Sequence, residues 1–161
     1  MEKEFTNLIN KYRALIFKVC NLYCDDVESR KDLFQEIVLQ AWKSYPNFRK
    51  DSGASTWLYR IALNTAISNF RKESKKPDRL PFTTATFEIP DLVSNDEKEN
   101  RTAMQEAISK LTDVEKAIIL LYLDEKSYEE MSDIIGITIS NVGVRLTRIK
   151  NKLSNLVKST L

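Results

Sequence analysis

Apolar residues spaced three and four positions apart recur along most of the chain, which is the pattern of amphipathic helices. In the N-terminal half, this spacing predicts one helix over residues 5–23, a second over about 29–44, and a third that begins near Ser55 or Thr56. The second helix is expected to end before Pro46, because the residue preceding a proline avoids helical backbone angles. The N-terminal half is therefore predicted to form a small group of helices.

Four further helical segments are predicted in the C-terminal part, the first over about residues 101–110. Thr112 and Ser127 are each followed three residues later by a glutamate, which predicts a capping box at the start of each of the next two helices. Gly136 stands where a glycine would end the helix opened by Ser127, and Thr138 is a suitable N-cap for the last helix. That last helix carries an apolar stripe predicted to face the core: Ile139, Val142, Leu146, Ile149 and Leu153.

Glycine and proline are sparse, at three and four residues, which favours long helices over many turns. Three of the four prolines fall between residues 77 and 90, inside a threonine-rich and acidic stretch over 77–100 that predicts a flexible linker. A length of 161 residues suits one ordinary domain or two small ones. The predicted fold class is all-α, with a three-to-four-helix domain over residues 1–76 and a four-helix domain containing a helix-turn-helix over 101–161.

The net charge of +2 conceals a strong segregation of charge along the chain. Residues 49–76 hold seven basic and two acidic side chains, and residues 137–161 hold five basic and no acidic ones. The intervening 102–136 holds eight acidic residues and three lysines. Two separate basic segments suggest two contacts with a polyanion, although solvated helix faces would explain either segment alone.

The stretch 127–153 has the form of a helix-turn-helix that binds duplex DNA. Ser140 and Asn141 lie in the first turn of its second helix, where the backbone amides favour phosphate. Arg145 and Arg148 follow and are long enough to reach bases or the DNA backbone. The alternative is a small helical bundle whose basic face meets only solvent.

The third predicted helix mixes aromatic and basic residues in a way that suits single-stranded DNA, whose unstacked bases can lie on aromatic rings. Arg60, Asn64 and Arg71 share one face by their spacing, with Lys72 beside them. The interleaved aromatic residues are Trp57, Tyr59 and Phe70. For Trp57 and Phe70 a place in the core, together with Leu58, Ile61 and Ala62, is the favoured interpretation and stacking on DNA is the alternative, because large aromatic side chains usually serve in the core.

The second predicted helix carries polar residues outside its apolar stripe of Leu33, Ile37 and Ala41. Those polar residues are Asp32, Gln35, Glu36 and Gln40. From the residues alone, this is an amphipathic helix that could dock a partner helix.

Enzymatic, metal-binding and membrane-spanning functions find no support in the sequence. The chain has no histidine, no glycine loop that would cradle phosphate and no carboxylate cluster with metal spacing, so no catalytic residue, metal, cofactor or small-molecule substrate is predicted. Cys20 and Cys24 are four residues apart, where a disulfide fits poorly; buried free thiols are expected, with a redox-sensing pair as the alternative. No apolar run approaches the roughly 18 residues that span a bilayer, and the N-terminus lacks a secretory signal, so a cytoplasmic location is expected.

Several of these segments together resemble bacterial RNA polymerase sigma factors of the extracytoplasmic-function (ECF) type. Residues 32–42, Phe48-Arg49 and 56–66 resemble region 2 of that family, and residues 111–122, 127–138 and Arg145-Leu146 resemble region 4. The resemblance covers nearly the whole chain in the right order. The competing interpretation, an autonomous helix-turn-helix regulator that binds duplex DNA without polymerase, leaves segments 32–42 and 49–76 unexplained.

The resemblance implies a function and a set of partners. The chain would bind core RNA polymerase, direct it to promoters and promote promoter melting, without being an enzyme. The helix of residues 32–42 would grip the clamp helices of the largest polymerase subunit, and the acidic segment 102–136 would meet the β flap. The linker would thread toward the active-site and RNA-exit channel. A membrane-linked anti-sigma factor would be a regulatory partner.

The resemblance also assigns residues to the promoter. Trp57, Arg60 and Asn64, with Arg71 and Lys72, would open and read the minus-ten element, and the loop of about residues 48–55 would hold a flipped base. The residues that would dock at the minus-thirty-five element are Thr138, Ser140, Asn141, Arg145 and Arg148. The chain departs from the family pattern at Asn141, where threonine is frequent, at Gly143, where lysine is frequent, and at Ser68, where aspartate is common. These departures imply a particular promoter sequence.

Overall fold

The computed structural model describes residues 1–48, 53–74 and 103–160, without the side chains of residues 70, 72–74 and 160. Predictions for the linker 77–100, for most of the loop before the third helix, and for the side chains of Phe70 and Lys72 lie outside the described residues. Within the described ranges, all regular secondary structure is helical. The chain divides into two compact units, Met1–Ala85 and Thr86–Leu161. The predicted all-α fold with two small helical domains is confirmed, whereas the exact domain bounds stay a prediction.

The described residues of unit 1 form four α-helices and a short 3-10 turn. The helices are α1 (Glu2–Lys11), α2 (Arg13–Tyr23), α3 (Val27–Ser44) and α4 (Ala54–Ser74), and the 3-10 turn at Tyr45–Asn47 follows α3. Helices α2, α3 and α4 pack against one another. Their shared core is fully closed to solvent at Ile16, Ile37, Leu58 and Tyr59.

The prediction of a single helix over residues 5–23 is wrong, because the chain breaks at Tyr12. Tyr12 has φ −107° and ψ 21°, outside the helical range, and separates α1 from α2. Its N–H donates to the Leu8 carbonyl at 3.1 Å, and its own carbonyl accepts from Ile16 N–H at 3.3 Å. Hydrogen bonds thus continue on both sides of the break, so the apolar spacing stays in phase and does not reveal it.

Helix α3 begins at Val27, two residues earlier than predicted, because Asp26 is its N-cap. The Asp26 carboxylate accepts the Ser29 N–H at 3.0 Å, and the hydrogen bonds from Ser29 hold the pKa of Asp26 below its ordinary value. Asp26 therefore opens this helix, since a carboxylate satisfies free amides in a first turn. Helix α4 likewise begins slightly early, at Ala54.

Unit 2 contains α5, described over residues 103–109, and then α6 (Asp113–Leu123), α7 (Tyr128–Ile135) and α8 (Ile139–Thr160). Both predicted capping boxes are present. Thr112 accepts the Glu115 N–H at 3.3 Å while the Glu115 carboxylate accepts the Thr112 N–H at 2.9 Å, and Ser127 and Glu130 exchange equivalent bonds of 3.1 and 3.2 Å. The core joins α5, α6 and α8 through buried residues: Ala107, Leu111, Ile118, Ile119, Leu146, Ile149 and Leu153.

Candidate nucleic-acid and polymerase interfaces

Helices α7 and α8 form the predicted helix-turn-helix, and local hydrogen bonds fix the turn between them. Gly136 ends α7 in the left-handed conformation at φ 82°, where a side chain would be strained, and its N–H donates to the Ser132 carbonyl at 2.8 Å. The Ser132 hydroxyl donates to the Ile137 carbonyl. Thr138 Oγ1 accepts the Asn141 N–H at 3.2 Å, which confirms Thr138 as the N-cap of α8. The direction of α8 is therefore set by side chains on both sides of the turn.

Helix α8 buries one side and exposes the other. Val142, Leu146, Ile149 and Leu153 are buried as predicted. The five residues predicted to face DNA are all exposed: Thr138, Ser140, Asn141, Arg145 and Arg148. The assignment of Ile139 to the core is wrong, since that side chain is 49% exposed. Ile139 is the first residue of α8 and lies about 60° around the helix from Val142, at the edge of the stripe.

Two lysines of α8 contact α6. Lys150 Nζ lies 4.1 Å from the centre of the Tyr122 ring, and Lys152 Nζ lies 3.0 Å from Glu115 Oε1. Partial burial disfavours the charged form of Glu115, but hydrogen bonds from the Thr112 backbone and from Lys152 outweigh it and lower the pKa of this carboxyl. The Glu115 side chain thus joins the capping box of α6 to the last turns of α8. Among the basic residues of α8, the arginines are the ones set on the polar side near the turn.

Helix α4 presents a polar face formed by Arg60, Asn64 and Arg71, all of which are exposed as their spacing predicts. Tyr59 does not join them, because its side chain is fully buried between the helices of unit 1. The prediction that Tyr59 is one of the aromatic residues available to DNA is therefore wrong: position 59 points into the core that α2 and α3 complete. Trp57 is partly buried and keeps some exposed surface.

Aromatic rings connect the start of α4 to α1 and to the end of α3. The ring centres of Phe48 and Trp57 are 4.5 Å apart, and Tyr45 lies 6.3 Å from each of them. Phe5 of α1 packs on Trp42 and Tyr45 at 5.0 and 5.3 Å. Ring contacts at these distances add to apolar burial. This aromatic cluster holds Trp57 in place at the N-terminal end of the α4 polar face.

A cleft of about 470 Å³ opens beside this cluster. Tyr45, Phe48, Gly53 and Ala54 line one side, and residues of α1, including Asn7 and Lys11, line the other. The loop predicted to hold a flipped base therefore borders an aromatic-lined space at both of its described ends.

The outer face of α3 combines polar residues with one exposed leucine. Asp32 and Gln35 are exposed, while Glu36 and Gln40 are partly buried and joined by a hydrogen bond of 2.9 Å from Gln40 Nε2 to Glu36 Oε1. Leu39 is 45% exposed on the same side, and the polar residues that predict this face do not include it. Its spacing of seven residues from Asp32 was the signal that could have revealed it. An apolar residue ringed by polar ones is typical of a protein-binding face.

The two cysteines are free thiols in different surroundings. Cys20 is fully buried, and this burial raises the pKa of its thiol to about 11, which suppresses the reactive thiolate. Cys24 is only partly buried, and its carbonyl accepts a 3.0 Å hydrogen bond from Arg30 Nε. The expectation of buried thiols is confirmed for Cys20. No group of three or more histidine, cysteine or acidic side chains is gathered around a potential metal position within the described ranges, and none of the described helices is long and apolar enough to cross a membrane.

Comparison with known proteins identifies both units. Residues 8–76 match the family model of Sigma-70 region 2, and residues 101–153 match that of Sigma-70 region 4. The ECF RNA polymerase sigma factor SigW of Bacillus subtilis is 31% identical over 94% of this chain and 88% of its own length. The ECF RNA polymerase sigma-E factor of Escherichia coli K12 is 30% identical over 98% of this chain and 88% of its own length.

The chain belongs to the ECF sigma factors. Two solved structures share its fold: the sigma factor RpoE of Bartonella quintana in complex with the anti-sigma factor NepR, and CnrH in complex with the cytosolic domain of CnrY. RpoE has a TM-score of 0.76 at 24% identity, over 97% of this chain and 98% of RpoE. CnrH has a TM-score of 0.72 at 19% identity, over 99% of this chain and 90% of CnrH. This sigma factor accordingly directs RNA polymerase to specific promoters for transcription initiation.

Proposed function

We propose that this sigma factor binds its promoter through two faces, α8 at the minus-thirty-five element and α4 at the minus-ten element, and binds core polymerase through α3. The observation that carries the proposal is the polar side of α8. Five polar residues are exposed there while the opposite side is buried in the core of unit 2. A fixed turn followed by such a helix is the arrangement that enters a major groove.

At the minus-thirty-five element, Arg145 and Arg148 supply long cationic side chains, one and a half turns and more into α8. Thr138, Ser140 and Asn141 lie at the helix N-terminus, where the helix dipole favours a phosphate. The N-terminal residues would set the position on the backbone, and the arginines would reach base edges or neighbouring phosphates.

At the minus-ten element, Trp57, Arg60, Asn64 and Arg71 are the described residues that would contact the opened strand, with Lys72 continuing the same segment. Trp57 supplies an aromatic surface held by Phe48, and Asn64 supplies an amide that can both donate and accept hydrogen bonds. A flipped base requires compensation for lost stacking of a few kcal/mol, which aromatic contacts can provide. The cleft beside Tyr45 and Phe48 supports this assignment by its aromatic lining.

For polymerase, the outer face of α3 offers Asp32, Gln35, Glu36 and Gln40 around Leu39, a surface suited to the clamp helices of the largest subunit. The acidic segment 102–136 would meet the β flap. Because the relatives RpoE and CnrH were solved with NepR and with the cytosolic domain of CnrY, an anti-sigma factor is also proposed as a partner. The proposed location of this sigma factor is the cytoplasm, where it would act on promoters together with polymerase.

The test is reconstituted transcription with core polymerase on a promoter library. The proposal expects a complex of the chain with core polymerase and transcripts that start at a defined pair of promoter elements. A chain that binds core polymerase but starts no promoter-specific transcripts would contradict it. A chain that binds promoter duplexes tightly without polymerase would favour an autonomous regulator.

A further inference from the structure

We propose that Val144 recognises the C5-methyl group of a thymine in the minus-thirty-five element, so that the upstream element of this sigma factor contains a thymine that is read by an apolar contact. The inference rests on the proposed docking of α8 in the major groove and adds a residue that neither charge nor hydrogen bonding singles out. In the major groove, the thymine methyl is the apolar feature that distinguishes one base from the other three.

Val144 lies at the middle of the α8 face that is turned away from the core. It follows Val142, which is fully buried, by two residues and therefore by about 200° around the helix. Its side chain is 48% exposed. As the sixth residue of α8, it belongs to the N-terminal part of the helix, which contacts base edges in helix-turn-helix proteins.

The neighbours of Val144 leave a short apolar side chain able to reach a base. Ser140 precedes it by four residues, and Thr147 follows it by three, so these small residues share its face. Gly143 has no side chain, and the Tyr128 ring occupies the adjoining space, with its Cε2 3.6 Å from the position that a Cβ would take. The side chains of Ser140 and Thr147 are therefore too short to keep an approaching base pair away from Val144.

Thr147 strengthens the apolar character of this patch. Its hydroxyl donates to the Gly143 carbonyl at 3.0 Å, so its proton is already used within the helix. The remaining methyl group of Thr147 lies one turn from Val144. The arginines Arg145 and Arg148 flank the pair and would hold the helix on the DNA while the two short side chains meet the base edge.

The test uses the full chain bound to core polymerase and the best upstream duplex recovered from a randomised library. Each thymine of that element is replaced in turn by deoxyuridine, which removes only the methyl group. At one position we expect about a fourfold rise in Kd, the value for one methyl group taken out of apolar contact. With Val144→Ala, the same thymine-to-deoxyuridine replacement should no longer change the Kd.

Ser154→Ala, an exposed position further along α8, is the matched control and should keep the methyl dependence of the unaltered chain. The inference is overturned if no deoxyuridine position weakens binding, if Val144→Ala retains the full effect, or if the selected element contains no thymine. A holoenzyme that selects no upstream element at all would instead contradict the proposed function of α8. Because Val144 is exposed, its replacement should leave the midpoint of urea unfolding nearly unchanged.

Discussion

The two proposed DNA-binding faces are built by different means. The α8 face depends on local devices: a capping box at Ser127, a left-handed glycine at 136 and the Thr138 cap. The α4 face depends on residues brought together from distant parts of the chain, since Trp57 is held by Phe48 and Tyr45, and Tyr45 is held in turn by Phe5 of α1.

This difference matters for how each face can be changed. Apart from Thr138, which is itself the N-cap, the residues of the α8 face can be exchanged at the surface without disturbing the turn, because the other caps and the core occupy other positions. At the start of α4, by contrast, the aromatic ring offered to DNA is part of the packing. Changes in unit 1 should therefore mix effects on folding and on DNA binding more than changes in unit 2.

The largest expected effect is on the free energy of unfolding, and it distinguishes the core of unit 1 from the exposed polar face of α4. Tyr59→Ala should lower the free energy of unfolding by about 3–5 kcal/mol, because it removes a large, fully buried aromatic side chain. Both tryptophans of the chain, Trp42 and Trp57, lie in unit 1, so urea unfolding followed by tryptophan fluorescence reports on that unit. Asn64→Ala, on the exposed face of the same helix, is the control and should stay within about 0.5 kcal/mol of the unaltered chain. Equal losses for both variants would mean that the polar face also supports the core.

The same contrast explains which features the sequence could predict. Capping boxes, Gly136 and the Val142–Leu146–Ile149 stripe depend on residues within a few positions of one another, so their spacing was sufficient. Burial of Tyr59 depends on the helices that cover it, which the spacing does not reveal. The break at Tyr12 leaves the apolar spacing in phase, and Ile139 lies at the edge of its stripe, so neither outcome follows from the spacing alone. Lys150 and Lys152 were counted as part of a basic surface because their partners, Tyr122 and Glu115, lie on another helix.

The next largest effect is on the affinity of α8 for the upstream element. Arg145→Ala should weaken binding to the upstream element by about 1–3 kcal/mol if the arginine contacts a base, and should lower the salt dependence of binding if it contacts a phosphate. The measurement is the Kd of the holoenzyme for the upstream duplex at several salt concentrations. Lys158→Ala is the control, since it removes the same charge from the same helix about 20 Å away. An unchanged affinity at every salt concentration for Arg145→Ala would count against a DNA contact.

A smaller effect is expected at the downstream element. Asn64→Ala should slow promoter opening by roughly three- to tenfold, the value of one or so hydrogen bonds to a base. Binding to core polymerase should stay largely intact, because Asn64 lies on α4 and the proposed polymerase-binding face lies on α3. Opening is measured by permanganate footprinting and core binding by fluorescence anisotropy. A loss of core binding would mean that Asn64 contacts polymerase, which would contradict its proposed contact with promoter DNA.

The smallest effect tests the local devices that build the α8 face. The backbone hydrogen bond from Ser127 lowers the pKa of Glu130, so the folded chain binds this proton less readily than the unfolded chain does. The contribution of Glu130 to stability is therefore complete at neutral pH. It begins to fall when the pH drops below 4.5, the ordinary pKa of a glutamate, and it is lost as the pH passes through the lowered pKa of the folded chain. The amide signal of Ser127 in an NMR titration should report this step, since that amide donates to the Glu130 carboxylate.

Glu130→Gln sharpens the same test, because glutamine keeps an oxygen for the capping box but does not titrate. Its Ser127 amide signal should lose the acid transition, while that of Thr112, which donates to Glu115 in the other box, should retain its own. The contribution of Glu115 to stability is also lost as the pH falls, since the pKa of this carboxyl is lowered as well. If the Ser127 signal of Glu130→Gln still titrated, the amide would be sensing another carboxyl group, and the start of α7 would not depend on its own box. The helix-turn-helix would then depend on longer-range contacts, as the start of α4 does.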